Sequence, residues 1–275
     1  MQIKAITAKS VLVKSNLPAS DYVANPYTGC THRCRYCYAS FMKRFSGHTE
    51  DWGTFIDVKN YESLKLPKNL NGKTVLLSSV TDPYNPVEKK FRKSREILGL
   101  LKNSGANIEI LSKSDRMLED LDLLKSIPGI RVGISLNTLD DDFRRDMEPC
   151  AVPIERRVNA LKTLSENGIS TYLFISPIFP KITDIREIVK CCEEFVDEIC
   201  FENLNLRGAA KEEILAYIGE KFPQHLHIYE QIYRKGSNDF WMNMEREIEE
   251  LSVEFSVKFT NYFYHSRIKK GAKND

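Results

Sequence analysis

Between residues 21 and 221 short runs of β-branched and aromatic residues alternate with longer amphipathic stretches, and no other feature limits the possible folds so strongly. The alternation is that of repeated βα units around a parallel sheet. Six units can be counted, with strands expected at 21–27, 74–79, 107–112, 131–136, 171–176 and 198–203. The second, TVLLSS, and the fifth, TYLFIS, are nearly continuous apolar runs, as suits strands covered on both faces. Ile154, Val158, Leu161 and Leu164 share one face of an expected helix that Gly168 can end in the left-handed conformation, and Gly105 can close the second helix similarly. Six units in about 200 residues fall short of the eight, in roughly 250, that close a full barrel. The expected fold is therefore α/β, an open partial (β/α)6 barrel of the TIM type spanning 21–221. Residues 222–266 leave the repeat: QHLHIYEQIYR and FWMNMEREIEELSVEF look helical and VKFTNYFYH extended, so they are expected to form a C-terminal helical and extended cap of the same domain. Residues 1–20 are an expected N-terminal extension and 267–275 an expected flexible tail.

With 42% of 275 residues hydrophobic, the chain can bury one large core or two modest ones. No stretch approaches the roughly 20 uncharged apolar residues of a membrane span, and MQIKAITAKSVLVKS has neither an apolar h-region nor a small-residue cleavage site. A cytoplasmic location with no membrane partner is the expectation. Forty Lys plus Arg against 38 Asp plus Glu leave a formal charge of +2, which gives no long-range field for gathering nucleic acid. The basic end SRIKKGAKND reads as a solvated terminus.

Seven cysteines in a chain this long do not make a disulfide scaffold. Three of them, Cys30, Cys34 and Cys37, fall within NPYTGCTHRCRYCYAS in the pattern C-x3-C-x2-C, directly after the first expected strand. In parallel α/β folds the loops leaving the C-terminal ends of strands build the site. Thiolates are the usual ligands of iron-sulfur cubanes, and a cubane with three protein ligands leaves one iron open to bind something else. Zinc is a second reading, with His32 as the fourth ligand, although tetrahedral closure within so tight a loop is awkward. Unligated structural cysteines are a third. Cys191 and Cys192 in an expected helix, and Cys200 in an expected strand, read as small buried hydrophobes.

The pattern C-x3-C-x-aromatic-C, with Tyr36 as the aromatic, resembles the signature of the radical S-adenosylmethionine (SAM) superfamily. The segments NPYTGC, CRYCY, SSVTDPYNPVE, LSKS, GISLNT, MEP, SPIFP and ENLNLRG resemble its spore photoproduct lyase-like branch, including the small radical SAM mobile pair proteins. This resemblance covers roughly residues 20–210. It implies a [4Fe-4S] cluster on Cys30, Cys34 and Cys37 whose open iron chelates SAM, and reductive cleavage of SAM to a 5'-deoxyadenosyl radical that abstracts hydrogen from an unidentified substrate. It further implies an electron donor such as a flavodoxin or ferredoxin, and a second radical SAM protein as a partner. Lys113 and Ser135 match positions that hold the methionyl carboxylate, for which a cation and a hydroxyl are suited; the alternative is a solvated lysine and a packed strand serine.

Other rim residues divide in the same way. Ser78, Ser79, Thr81 and Asp82 would bind ribose hydroxyls or the amino group of SAM, unless TDPYNP is simply a turn. Glu148, Ser176 and Asn203, with Asn205 and Arg207, are polar groups at the right ends of strands to contact cofactor or substrate, or else part of a salt-bridged rim. Tyr36 would pack near the adenine, and Tyr38 is a candidate radical relay. Cys150 follows Met147-Glu148-Pro149 close to a strand exit and is a candidate hydrogen-atom donor, against the usual inertness of a lone packed cysteine. His225, His227, Trp241, Tyr262, Tyr264 and His265 would cover a substrate or fill core. Two other functions compete. A cluster-bearing electron-transfer or scaffold partner would ordinarily saturate its cluster with four cysteines. DNA photoproduct lyase-type repair would, by the resemblance, call for a cysteine at the end of the second strand, where this chain has Ser78-Ser79-Val80.

Overall fold

The computed structural model describes residues 1–17 and 19–263. Its strands are β1 (Gln2–Ala8), β2 (Val13–Lys14), β3 (Tyr22–Ala24), β4 (Tyr27–Thr28), β5 (Phe55–Tyr61), β6 (Thr74–Leu77), β7 (Asn107–Ser112), β8 (Ile130–Leu136), β9 (Ser170–Ile178), β10 (Glu198–Asn203) and β11 (Lys258–Asn261). The helices are α1 (Glu88–Phe91), α2 (Lys93–Leu101), α3 (Leu121–Leu124), α4 (Asp141–Met147), α5 (Ile154–Glu166), α6 (Ile185–Cys192), α7 (Ala209–Lys221), α8 (Leu226–Tyr233) and α9 (Asp239–Glu254). The main sheet runs β11-β10-β9-β8-β7-β6-β3-β2. All its neighbours are parallel except β2, which pairs antiparallel with β3. The α/β partial barrel expected from the βα repeat is thus the architecture of the chain.

The first expected strand, 21–27, is broken, and the break places the site. Only Tyr22–Ala24 stays in the main sheet; Tyr27–Thr28 pairs antiparallel with β5 in a second sheet of order β1-β5-β4. Asn25-Pro26 is the physical reason. Proline has no N–H for a ladder, and the Asn25 side chain instead accepts the Ser79 N–H at 2.9 Å. The chain is thereby turned across the strand ends at Gly29 (φ +93°), where an added Cβ would lie 2.6 Å from the Phe55 carbonyl oxygen, so no other residue fits. At the other edge, the extended C-terminal segment becomes β11, a seventh parallel strand, with Glu198 opposite Lys258 and Phe201 opposite Asn261. Of the C-terminal polar aromatics, Trp241 is buried, whereas Tyr264 and His265, like the expected tail, lie outside the described residues.

The core follows the apolar runs. Val75, Leu77, Ile108, Ile110, Val132, Ile134 and Leu136 are all fully buried along β6 to β8. Over them α5 buries Ile154, Ala160, Leu161 and Leu164, and the chain turns away at Gly168 (φ +73°). Truncating Leu161 to alanine would cost about 2–5 kcal/mol. Arg157, on the same buried face, is the exception, and it belongs to the site described next.

Candidate active site

The cysteine loop hangs from β4 and is pinned on two sides. Thr81 donates its hydroxyl to the Gly29 carbonyl at 2.5 Å. The backbone N–H groups of Arg35 and Cys150 donate to the carbonyls of Met147 (3.0 Å) and His32 (3.2 Å), locking the loop to the end of α4. All three thiols are partly buried and free of disulfides. Burial, then the charge of Asp82, pushes the Cys30 thiol up to about 12. Burial and Glu148 raise Cys34 well above its ordinary value, with Lys113 opposing, and burial raises Cys37 against a hydrogen bond from Trp52. These sulfurs are therefore protonated at neutral pH until a metal displaces the protons. Among the described residues, no group of three or more His, Cys, Asp or Glu side chains is arranged around one ion position; a cubane asks for another arrangement, one thiolate per iron.

Asp82 ties this loop to the sheet. One carboxylate oxygen accepts from the Ser112 hydroxyl (2.7 Å) and the Tyr84 N–H (2.8 Å), the other from the Lys113 N–H (2.8 Å) with His32 Nδ1 at 3.3 Å. Burial opposes its ionisation, but His32 and these donors outweigh it and keep the carboxyl below its ordinary value. The turn-forming TDPY segment is thus also a clamp, and the imidazole considered for zinc faces a carboxylate.

Lys113 leaves the end of β7 and places its ammonium 2.5 Å from the Ser135 hydroxyl, which itself donates to the Ser176 carbonyl at 2.9 Å. Glu148 Oε1 lies 3.6 Å from the same ammonium and accepts from Tyr36 Oη and from Asn137 Nδ2 at 3.2 Å. Its Oε2 meets Arg157 Nη2 at 2.6 Å, with both side chains fully buried. Burial works against the charge of Glu148, yet Arg157 first and Lys113 next hold its carboxyl below the usual range. Glu148, expected to touch the cofactor, therefore spends both oxygens within the protein and positions Lys113 and Tyr36. The Tyr36 ring packs edge-on against Phe179 at 5.5 Å.

Farther round the rim, the Ser176 hydroxyl donates to Glu202 at 2.6 Å. Ser79 uses its N–H on Asn25 and its carbonyl to accept from Tyr38, whose ring remains half-exposed. Ser78 (φ +73°) and Asn203 are buried with Oγ and Oδ1 lacking a hydrogen-bond partner, as is Oδ1 of Asn137. Cys150 is exposed beside the cysteine loop. Cys192 and Cys200 are buried as expected of small hydrophobes, but Cys191 is exposed.

Sequence reasoning missed Arg157, Asn137 and Glu202. Arg157 did leave a signal, an arginine three residues after Ile154 and four before Leu161, inside the apolar stripe of its helix. For the other two there was none beyond their position at strand ends.

Comparison with known proteins bears on this arrangement. The family described as the Radical SAM superfamily matches residues 24–192, which include the cysteine loop and the Lys113, Ser135 and Glu148 cluster. An uncharacterized protein of Methanocaldococcus jannaschii is 38% identical over 229 residues, 83% of this chain and 86% of that protein. Among solved structures, spore photoproduct lyase complexed with dinucleoside spore photoproduct is similar in fold, with a TM-score of 0.58 at 15% identity over 81% of this chain. SuiB of Streptococcus suis bound to S-adenosylmethionine gives 0.53 at 14% identity over 89%. The chain spans 66% of the length of the first structure and 50% of the second.

Proposed function

The chain belongs to the radical SAM superfamily, and on that premise we propose that it cleaves SAM reductively at a [4Fe-4S] cluster held by Cys30, Cys34 and Cys37, to abstract hydrogen from a substrate yet to be identified. The superfamily works with that cluster and with SAM. One observation carries the assignment to these residues: the Lys113 ammonium, held between Ser135 and Glu148, stands in the electrostatic surroundings of Cys34. The donor set fits the group, since thiolates suit iron, and a lysine with a hydroxyl suits a carboxylate. The unpartnered oxygens of Ser78, Asn137 and Asn203 fit it as well, because buried polar atoms without partners are costly unless a bound molecule serves them.

When bound and reduced, the cluster supplies the electron that splits the sulfonium and yields a 5'-deoxyadenosyl radical. The chain's own residues do the rest. Lys113 and Ser135 orient the methionyl carboxylate, and Glu148, charged and backed by Arg157, holds the Lys113 ammonium and Tyr36 in place. Asp82 keeps the cysteine loop against β7, and Ser78, Ser79, Ser176 and Asn203 line the remaining polar rim. Tyr38 and exposed Cys150, the latter bonded through its backbone to the cluster loop, are our candidates for relaying a radical or returning a hydrogen atom. The enzyme is of lyase or oxidoreductase type, acts in the cytoplasm, and takes its electron from a flavodoxin- or ferredoxin-like donor.

Anaerobic reconstitution should give a brown protein with about four irons per chain that forms 5'-deoxyadenosine from SAM under dithionite. Cys34→Ala should lose both properties. Stoichiometric zinc in place of iron, with no visible absorbance, would refute the proposal.

A further inference from the structure

The residues immediately after Cys37 form an unusual surface. Tyr38–Phe45 is a single 3-10 helical run in which Ala39 is the one buried residue, while Phe41 and Phe45 are 42% and 69% exposed. Single exposed aromatics are ordinary; two together on one short helix, beside half-exposed Tyr38, form a small apolar patch. Their rings meet edge to face at 6.5 Å, and the Arg44 guanidinium stacks over both, at 5.5 Å and 5.1 Å.

The segment that carries this surface is basic. From Thr28 to Thr49 the sequence has Arg33, Arg35, Lys43 and Arg44 and no acidic residue, in a chain whose formal charge is only +2. Arg35 is paired with Glu213 at 2.6 Å, and Lys43 reaches the highly exposed Asp51 only at 3.9 Å. Arg44 lends its Nε to the Phe41 carbonyl at 3.2 Å, leaving the rest of the guanidinium over the two rings. Exposed Arg33, held at φ +58°, lays its stem across Gly53. The surface is thus apolar at its centre, with the Arg44 guanidinium over it and Lys43 nearby facing Asp51, and it is continuous in the chain with a proposed cluster ligand.

We infer that the exposed aromatic face of residues 38–45, with its Lys43 and Arg44, is where an acidic one-electron carrier protein docks to reduce the cluster. The inference rests on the cluster assignment made above. The step balances simply: the carrier's prosthetic group loses one electron, the cluster gains it, and no bond or proton moves. Charge complementarity favours an acidic protein, and the position next to Cys37 favours an electron carrier over other acidic partners. Charges around such an interface act mainly on association rate and its salt dependence, and the aromatics on residence time.

The test uses the reconstituted full chain with an acidic flavodoxin as probe, and a basic c-type cytochrome and a single-stranded oligonucleotide as controls. Affinity is measured by calorimetry at low and high salt, alongside iron content and visible absorbance. Arg44→Glu should weaken flavodoxin binding about tenfold at low salt, with the difference shrinking at high salt, and Phe45→Ser should weaken it several-fold at both. Both variants should keep wild-type iron content and dithionite-driven cleavage of SAM. Normal cluster absorbance with unchanged flavodoxin affinity in both variants would overturn the docking face alone. So would binding of the oligonucleotide or the cytochrome in preference to flavodoxin. Wild-type protein without iron would overturn the cluster assignment, and with it the electron-transfer role of this face.

Discussion

The two ends of the parallel sheet are both polar, but they use polarity differently. At the N-terminal ends of the strands, Arg131 on β8 joins Glu109 on β7 (3.1 Å) to Glu198 on β10 (2.5 Å), and Glu198 also takes Lys258 of β11 (2.9 Å) and the Thr260 hydroxyl. Tyr172 of β9 lies under the Arg131 guanidinium, 4.9 Å from its ring centroid, and donates to the Ile110 carbonyl at 3.0 Å. Each group there serves another strand, which ties β7 to β11 together. At the C-terminal ends, the three clustered thiols are free of disulfides, Ser78, Asn137 and Asn203 keep unpartnered oxygens, and a fully buried Glu148–Arg157 pair props up a lysine. One end is polar for cohesion; the other leaves polar groups unmet at the end of the sheet where, in barrels of this kind, chemistry sits.

Substitutions at the two ends should separate these roles. The largest effect belongs to Cys34→Ala, which should abolish iron binding while leaving the melting temperature of the iron-free protein within a few degrees of the iron-free wild type; calorimetry and iron analysis check both. Arg157→Met strips the partner from a buried carboxylate and should cost about 3–5 kcal/mol in urea unfolding, and SAM binding should weaken with it because Lys113 loses its anchor. Gly133→Ala should cost about 1–3 kcal/mol with SAM affinity unchanged, because the new methyl would lie 2.3 Å from the Tyr172 ring. Arg131→Met, at a site one-third exposed, should cost only about 1–2 kcal/mol and also leave SAM affinity alone. An Arg131 or Gly133 variant that lost SAM affinity at unchanged stability would dissolve the distinction between the two ends.

How much of this was legible beforehand follows from what kind of interaction each element depends on. The strands from β6 to β10 were readable because their apolar runs carry the burial themselves. The break at Asn25-Pro26 was written in the sequence too, since a proline cannot stay in a central ladder. The small sheet was not readable: β1, QIKAITA, is exposed or half-exposed throughout and is a strand only because it pairs with β5. Likewise, spacing alone made the cysteine loop conspicuous, and Asp82 stood out as the acidic member of a hydroxyl-rich strand end, although the same TDPYNP residues read equally as a simple turn. The inward use of Glu148 depends on Arg157, brought by a helix that starts six residues later, and no local pattern connects the two.

The claim that the C-terminal end is a SAM site rests most directly on whether SAM reaches the cluster through Lys113. The decisive measurement is the electron paramagnetic resonance spectrum of the dithionite-reduced, reconstituted protein with and without SAM, in the wild type and in Lys113→Ala. The wild-type cluster signal should change on adding SAM, and Lys113→Ala should need about 10–100 times more SAM for the same change, equivalent to ~1–3 kcal/mol for an unpaired carboxylate. A wild-type signal indifferent to saturating SAM, or a Lys113→Ala titration that superimposes on the wild type, would contradict it.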